Sequence, residues 1–180
     1  MSFRLILGAV ALTGLAQAAF SANPDVGGAP MFEDKNIVEN AVNSADHTTL
    51  VAAVTAAGLV DALMGEGPFT VFAPVNDAFA ALPAGTVDTL LKPENKEMLT
   101  KILTAPVVAG DFTLADLRAK VGADGYANLR TLSGDALSVR FRGDKAMVYS
   151  ESRNIGTITI GDVDQSNGVI HVVDAVLVPK

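Results

Sequence analysis

The chain has 180 residues, no cysteine and only two histidines, which removes disulfides, thiolate metal sites and cysteine nucleophiles and leaves a histidine-based site little to work with. A formal net charge of −7 disfavours nucleic acid and bare anionic membrane as partners. Hydrophobic residues make up 49% of the chain, but no run reaches the roughly 18 uninterrupted apolar residues of a membrane span, so no transmembrane segment is expected.

Met1 to Arg4, the apolar run Leu5 to Leu15, and Ala16, Gln17 and Ala18 supply a basic n-region, an h-region and an A-x-A site in order. Residues 1–18 therefore read as a signal peptide cleaved after Ala18, and the mature chain as secreted or periplasmic. Cleavage would leave 162 residues at −8, because Arg4 is the only charge removed, a size suited to one domain with its own core. Residues 19–35 hold Gly27, Gly28 and two prolines with little periodicity and read as a flexible tether. Residues 36–180 read as a single domain.

His47, beside Asp46 at a helix start, is expected to be exposed or capping. Leu50, Val51, Val54 and Ala57 fall at helical spacing, and Gly58 stands where that helix would end. Leu59, Val60, Leu63 and Met64 form a second helical patch, stopped by Gly65 to Pro68. Phe69 to Ala73 is a β-prone apolar run of the buried-strand kind. Pro74 removes a backbone donor, so the strand should end there and hand over to a helix near Asn76. Asn76 or Asp77 can cap or charge-complement that helix, with Phe79 buried against it.

Pro93 suits the first turn of a helix whose apolar face is Leu99, Ile102 and Leu103. Thr113 and Asp116 form a possible capping pair ahead of Leu117. Past Gly122 the period changes to two: Leu137, Val139 and Phe141 alternate with Ser138, Arg140 and Arg142, and Ile158 and Ile160 with Thr157 and Thr159. Turn chemistry falls at Ser133-Gly134-Asp135, Arg142-Gly143-Asp144 and Asn167-Gly168, the last a hairpin signal. Val169 to Val173 is apolar on both faces save His171, so it reads as a central strand with a hydrogen-bonded core histidine. Helices first and antiparallel strands later imply an α+β fold.

Two segments carry a resemblance. Phe69, Thr70, Val71, Phe72, Ala73, Pro74, Val75, Asn76, Asp77, Ala78 and Phe79, and the stretch from Asn167 through Gly168, Val169, Ile170, His171 and Asp174 to Pro179, resemble the two signature regions of the fasciclin domain family. Thr49 to Leu59 resembles the family's opening helix, so the likeness runs from about Asn36 to Pro179. It implies a fasciclin-like fold, N-terminal helices packed on a wedge of mainly antiparallel strands, in which most signature residues are fold-forming. Many members carry a Tyr-His pair, linked to adhesion and integrin recognition, where this chain has Ala105 and Pro106. Val75 also replaces a usual hydroxyl residue that would cap the next helix.

The resemblance implies a secreted or periplasmic interaction module that adheres to a protein or polysaccharide at a cell surface or matrix. Between Arg118 and Arg153, seven basic residues stand against four acidic ones, which nominates Arg140 and Arg142 as partner contacts. An alternative, from carotenoid-binding relatives and the apolar composition, is a carrier of a carotenoid or lipid. The least supported reading is a hydrolase using Asp162 and Asp164. The run Asp162 to Gly168 superficially matches a calcium loop, but the glycine falls one position late and Val173 stands where a bidentate Glu is needed. No nucleophile elbow, HExxH helix or P-loop occurs, so no enzyme activity, metal or cofactor is expected.

Overall fold

The computed structural model describes residues 23–180; the expected signal peptide, residues 1–18, and the cleavage expected after Ala18 lie outside the described residues. A small hairpin comes first, β1 (Asp25–Val26) against β2 (Ala29–Pro30). Val26 and Met31 are buried in the main core, and the Asn23 side chain bonds the Asp164 backbone. The described part of the expected tether is thus folded onto the domain. Its two glycines serve a tight turn over Ser44 and Ala45, whose atoms leave no room for a Cβ on Gly27.

The helices follow from local signals. Helix α1 (Ile37–Ala41) opens on a capping box between Asn36 and Glu39. Helix α2 (Thr48–Ala57) closes on Gly58, whose φ of 72° is the left-handed cap that glycine adopts freely. Helices α3 (Val60–Met64), α4 (Asn76–Ala80), α5 (Thr86–Leu90), α6 (Lys96–Thr104) and α7 (Leu114–Ala119) complete the set. Pro93 starts a 3-10 turn that leads into α6, and Thr113 with Asp116 caps α7 as the sequence predicts.

The strands are β3 (Phe69–Pro74), β4 (Val107–Ala109), β5 (Ala127–Arg130), β6 (Ala136–Arg142), β7 (Lys145–Ser150), β8 (Ile155–Gln165) and β9 (Gly168–Val173). They form one seven-stranded sheet in the order β4-β3-β9-β8-β7-β6-β5, with β3 and β9 parallel and every other pair antiparallel. This is the α+β, fasciclin-like architecture the sequence implies. Strand β8 serves both halves: residues 155–157 pair with β7, and residues 158–165 pair with β9 through two register shifts. Bulges of this kind bend a strand and increase its twist. The sheet curls until its two edges meet, with Val108 bridging Thr131 and the Leu132 N–H donating to the Val107 carbonyl at 2.8 Å.

Curling gives β3 and β9 two buried faces. Val71, Ala73, Ile170 and Val172 pack beneath α1, α2, α3 and α6, whereas Phe72 and Val173 point into the second core with Leu117, Val139, Val148 and Leu177. Full burial of a side chain such as Phe72 is worth roughly 1.5–3 kcal/mol. Gly168, read from sequence as part of the turn, is instead the first residue of β9, and Ser166 and Asn167 make the turn. A Cβ on Gly168 would stand 1.9 Å from the Phe69 carbonyl oxygen, so the parallel pair can close only on glycine.

Candidate functional site

Strict alternation on β5 to β7 sends Ala127, Leu129, Leu137, Val139, Ala146 and Val148 inward, leaving the other residues as an outer face. Register sorts that face into rows. Arg140 lies opposite Met147, which faces Thr157; Asn128 lies opposite Ser138, which faces Tyr149 and then Ile155; Arg142 lies opposite Lys145 at the turn. Tyr126, just before β5, extends the Arg140 row. The Arg140 guanidinium sits 5.4 Å from the Tyr126 ring centroid, and its Nη1 donates to the Tyr126 hydroxyl at 3.4 Å.

The Tyr126 ring meets Tyr149 edge-on, with centroids 5.6 Å apart. A guanidinium, a planar group suited to bidentate bonding with carboxylate, sulfate or phosphate, thus stands beside two half-exposed phenols that present ring area at low entropy cost. Arg142, Lys145 and Arg130 are exposed around it. The structure thus brings Arg140 and Arg142 onto one face. It places Arg118 elsewhere, stacked 4.3 Å from the Phe141 ring centroid and bonded to the Gly143 carbonyl, where it clamps the β6–β7 turn. Tyr126 and Tyr149 escaped the sequence reading because their neighbours come from strand pairing; the alternation of β6 was the available clue.

The signature residues sit where the two halves of the molecule join. Thr70 is fully buried; its hydroxyl donates to the Gly110 carbonyl at 2.7 Å and accepts from the Phe112 N–H at 2.9 Å. His171 is buried beside it. Its Nδ1 accepts from the Asp162 N–H and its Nε2 donates to the Phe112 carbonyl at 2.8 Å. Burial lowers the His171 pKa, against the pull of the Phe112 carbonyl and nearby carboxylates; this neutral tautomer is the only form that satisfies both bonds. Val169 and Ile170 are buried with it, and Asp174 accepts from the Thr157 N–H to close the strand end.

Asn76 departs from expectation. Its side-chain oxygen accepts from the Thr49 N–H at 3.0 Å and its amide donates to the Ala45 carbonyl, so it serves the start of α2 and not of its own helix. That helix has Val75 at its N-cap position and no side-chain cap, and Asp77 stands exposed in its first turn. Pro74 ends β3 and Phe79 is buried, as read. Ala105 and Pro106 are both buried, the Pro106 carbonyl accepting from the Phe72 N–H at 2.9 Å.

His47 also departs: it is 3% exposed and caps no helix. Its Nδ1 is 2.9 Å from the Ser44 hydroxyl, and its Nε2 has no hydrogen-bond partner. Burial lowers its pKa, opposed by the Ala73 backbone and Asp46. Asp162, read as a hydrolase candidate, spends a carboxylate oxygen on the Leu114 N–H. Asp164 has its pKa raised by burial and by Glu33, Asp111 and Asp162. Among the described residues, no group of three or more His, Cys, Asp or Glu side chains is placed to hold a metal ion.

Helices over one face of a curled sheet and a signature-lined seam define an α+β domain whose outer face on β5 to β8 carries basic and aromatic residues. The sequence profile of the fasciclin domain matches residues 45–179. Protein sll1483 of Synechocystis is 52% identical over 143 residues, 79% of this chain and 73% of that protein. Immunogenic protein MPB70 of Mycobacterium bovis is 35% identical, over 77% of this chain and 66% of that protein. A solved FAS1 domain pair from the insect cell adhesion molecule fasciclin I superposes with a TM-score of 0.70 at 18% identity, over 79% of this chain and 50% of that one. The chain belongs to the fasciclin domain family.

Proposed function

We propose that this chain is a non-enzymatic interaction module of the periplasm or cell exterior that adheres through the outer face of β5 to β8. The observation that carries the reading is the fixed cluster of Arg140, Tyr126 and Tyr149 with Arg142 and Lys145 beside it. A locally basic face on a chain of net charge −7 selects for a localised anionic partner and against general adsorption to polyanions. Kinship with a domain of an insect cell adhesion molecule supports adhesion as the role. With Ala105 and Pro106 buried, adhesion by this chain uses a surface other than those two positions.

The partner class is an anionic polymer of the envelope or matrix, a carboxylated polysaccharide or an acidic protein segment. Retention of host envelope and medium fractions on the immobilised mature domain tests it. Binding is expected to fall as salt rises from about 50 to 300 mM, because exposed charges are screened within about 10 Å at 0.1 M; salt-insensitive retention counts against the proposal. Nuclease, glycosidase and protease treatment of the fractions then separates the two polymer types.

A further inference from the structure

Beneath α1 and α2 lies a cavity of about 160 Å³. Its walls are almost wholly apolar, with Met31, Val54, Leu63, Val71, Val163 and Ile170 among them. Apart from Thr55, whose hydroxyl donates to the Val51 carbonyl, the polar side chain in the lining is His47, an imidazole whose Nδ1 is occupied by Ser44 and whose Nε2 is buried and unpartnered. A buried polar nitrogen without a partner costs about 1–3 kcal/mol, and folds rarely retain one that nothing satisfies. Val42, 55% exposed, and exposed Thr55 also belong to the wall, which puts a mouth between α1 and α2.

We infer that this cavity is a binding site for a compact apolar molecule, about the size of a single ring, that carries one hydroxyl or carbonyl oxygen to hydrogen-bond with His47 Nε2. Size sets the first half of that description. A dry cavity of roughly 150 Å³ is known to take benzene, whereas a carotenoid or a full acyl chain could not be buried in this one. The lone imidazole sets the second half: the ring is neutral because burial lowers its pKa, so it offers one nitrogen and no charge. A charged ligand would find no counter-ion among the apolar walls. The hairpin of β1 and β2 supplies Val26 and Met31 to the wall, and Gly27 packs on the Ser44 that orients His47. The N-terminal hairpin, the helices and strands β3, β8 and β9 therefore all contribute to the wall.

Phenol and benzene are the discriminating probes, titrated separately into the isotope-labelled mature chain while the His47 imidazole resonances are followed by NMR. Phenol is expected to shift those resonances saturably and to bind about 3- to 10-fold more tightly than benzene, the worth of one neutral hydrogen bond. In His47→Leu the preference should vanish while benzene binding persists. The wild-type comparison needs no variant, so a misfolded variant leaves the question decidable. Equal affinities for the two probes, an unmoved His47 ring at the solubility limit of phenol, or an ordered water on Nε2 that phenol does not displace would each overturn the inference.

Discussion

Asn167 does more than turn the chain between β8 and β9. Its side-chain oxygen accepts from the Ile37 N–H at 3.0 Å, its amide donates to the Leu63 and Gly65 carbonyls, and its own carbonyl accepts from the Phe69 N–H. One residue thus joins α1, the end of α3, β3 and the hairpin. Asn167→Ala leaves three main-chain groups without partners and should cost about 2–4 kcal/mol in urea unfolding; a loss under 1 kcal/mol would mean water replaces it freely. The sequence marks Asn167 as a turn residue, but its partners stand 104 and 130 residues away, beyond any local pattern. The sequence marks His171 as a hydrogen-bonded core residue, but it does not show that His171 and Thr70 hold the two backbone groups of Phe112, which stand 59 and 42 residues away. His47 was misread because polarity next to Asp46 suggests solvent, while the hairpin that covers it looked featureless.

Both histidines are neutral when folded, since burial lowers each pKa below the ordinary value of 6.5. The unfolded chain therefore takes up protons first on acidification. The stability linked to them is complete above about pH 6.5 and drains below it, by up to about 1.4 kcal/mol per pH unit for each, until the folded rings protonate. Asp164, with a pKa raised above the ordinary 3.8, acts oppositely, its contribution being complete below that value and lost as pH rises through the raised one. Urea midpoints at pH 7.5, 6.5 and 5.5 should fall slightly over the first step and more steeply over the second; a flat series would contradict neutral burial.

Among the elements, α2, α3, α4, α6 and α7 and strands β3, β6, β8 and β9 were legible because they carry their own period or stop signal: Gly58 after α2, Pro74 after β3, Thr113 with Asp116 before α7. The β1–β2 hairpin was not, because two-residue strands have no period to detect. Removing residues 19–31 should therefore expose Ile37 and Val163 and lower stability measurably by calorimetry, where loss of a true tether would leave Tm unchanged. The parallel β3–β9 pair imposes a sharper demand. Gly168→Ala drives a Cβ into the Phe69 backbone, so the strands must part, at about 3 kcal/mol or more and roughly 10 °C in Tm. Asn-Gly reads as hairpin chemistry, and only the pairing of β9 with β3 reveals why the glycine has no substitute.

At the scale of the whole molecule, helices cover one side of β3 and β9, the curled sheet encloses the second core, and β5 to β8 turn their polar and aromatic residues outward. That partition was half legible: alternation on β6 showed that Arg140 and Arg142 share a face, but Tyr126, Tyr149 and Lys145 join them only through register. The central claim is that this face binds. The direct measurement compares retention of host envelope material by the wild-type domain, by Arg140→Glu/Arg142→Glu, and by Lys92→Glu/Lys96→Glu, which changes net charge equally at exposed positions on the helical side. The strand variant should lose about tenfold or more in affinity while keeping its Tm, and the helix variant should stay within about twofold of wild type. Equal losses in both, or none in the strand variant, would show that the binding surface lies elsewhere.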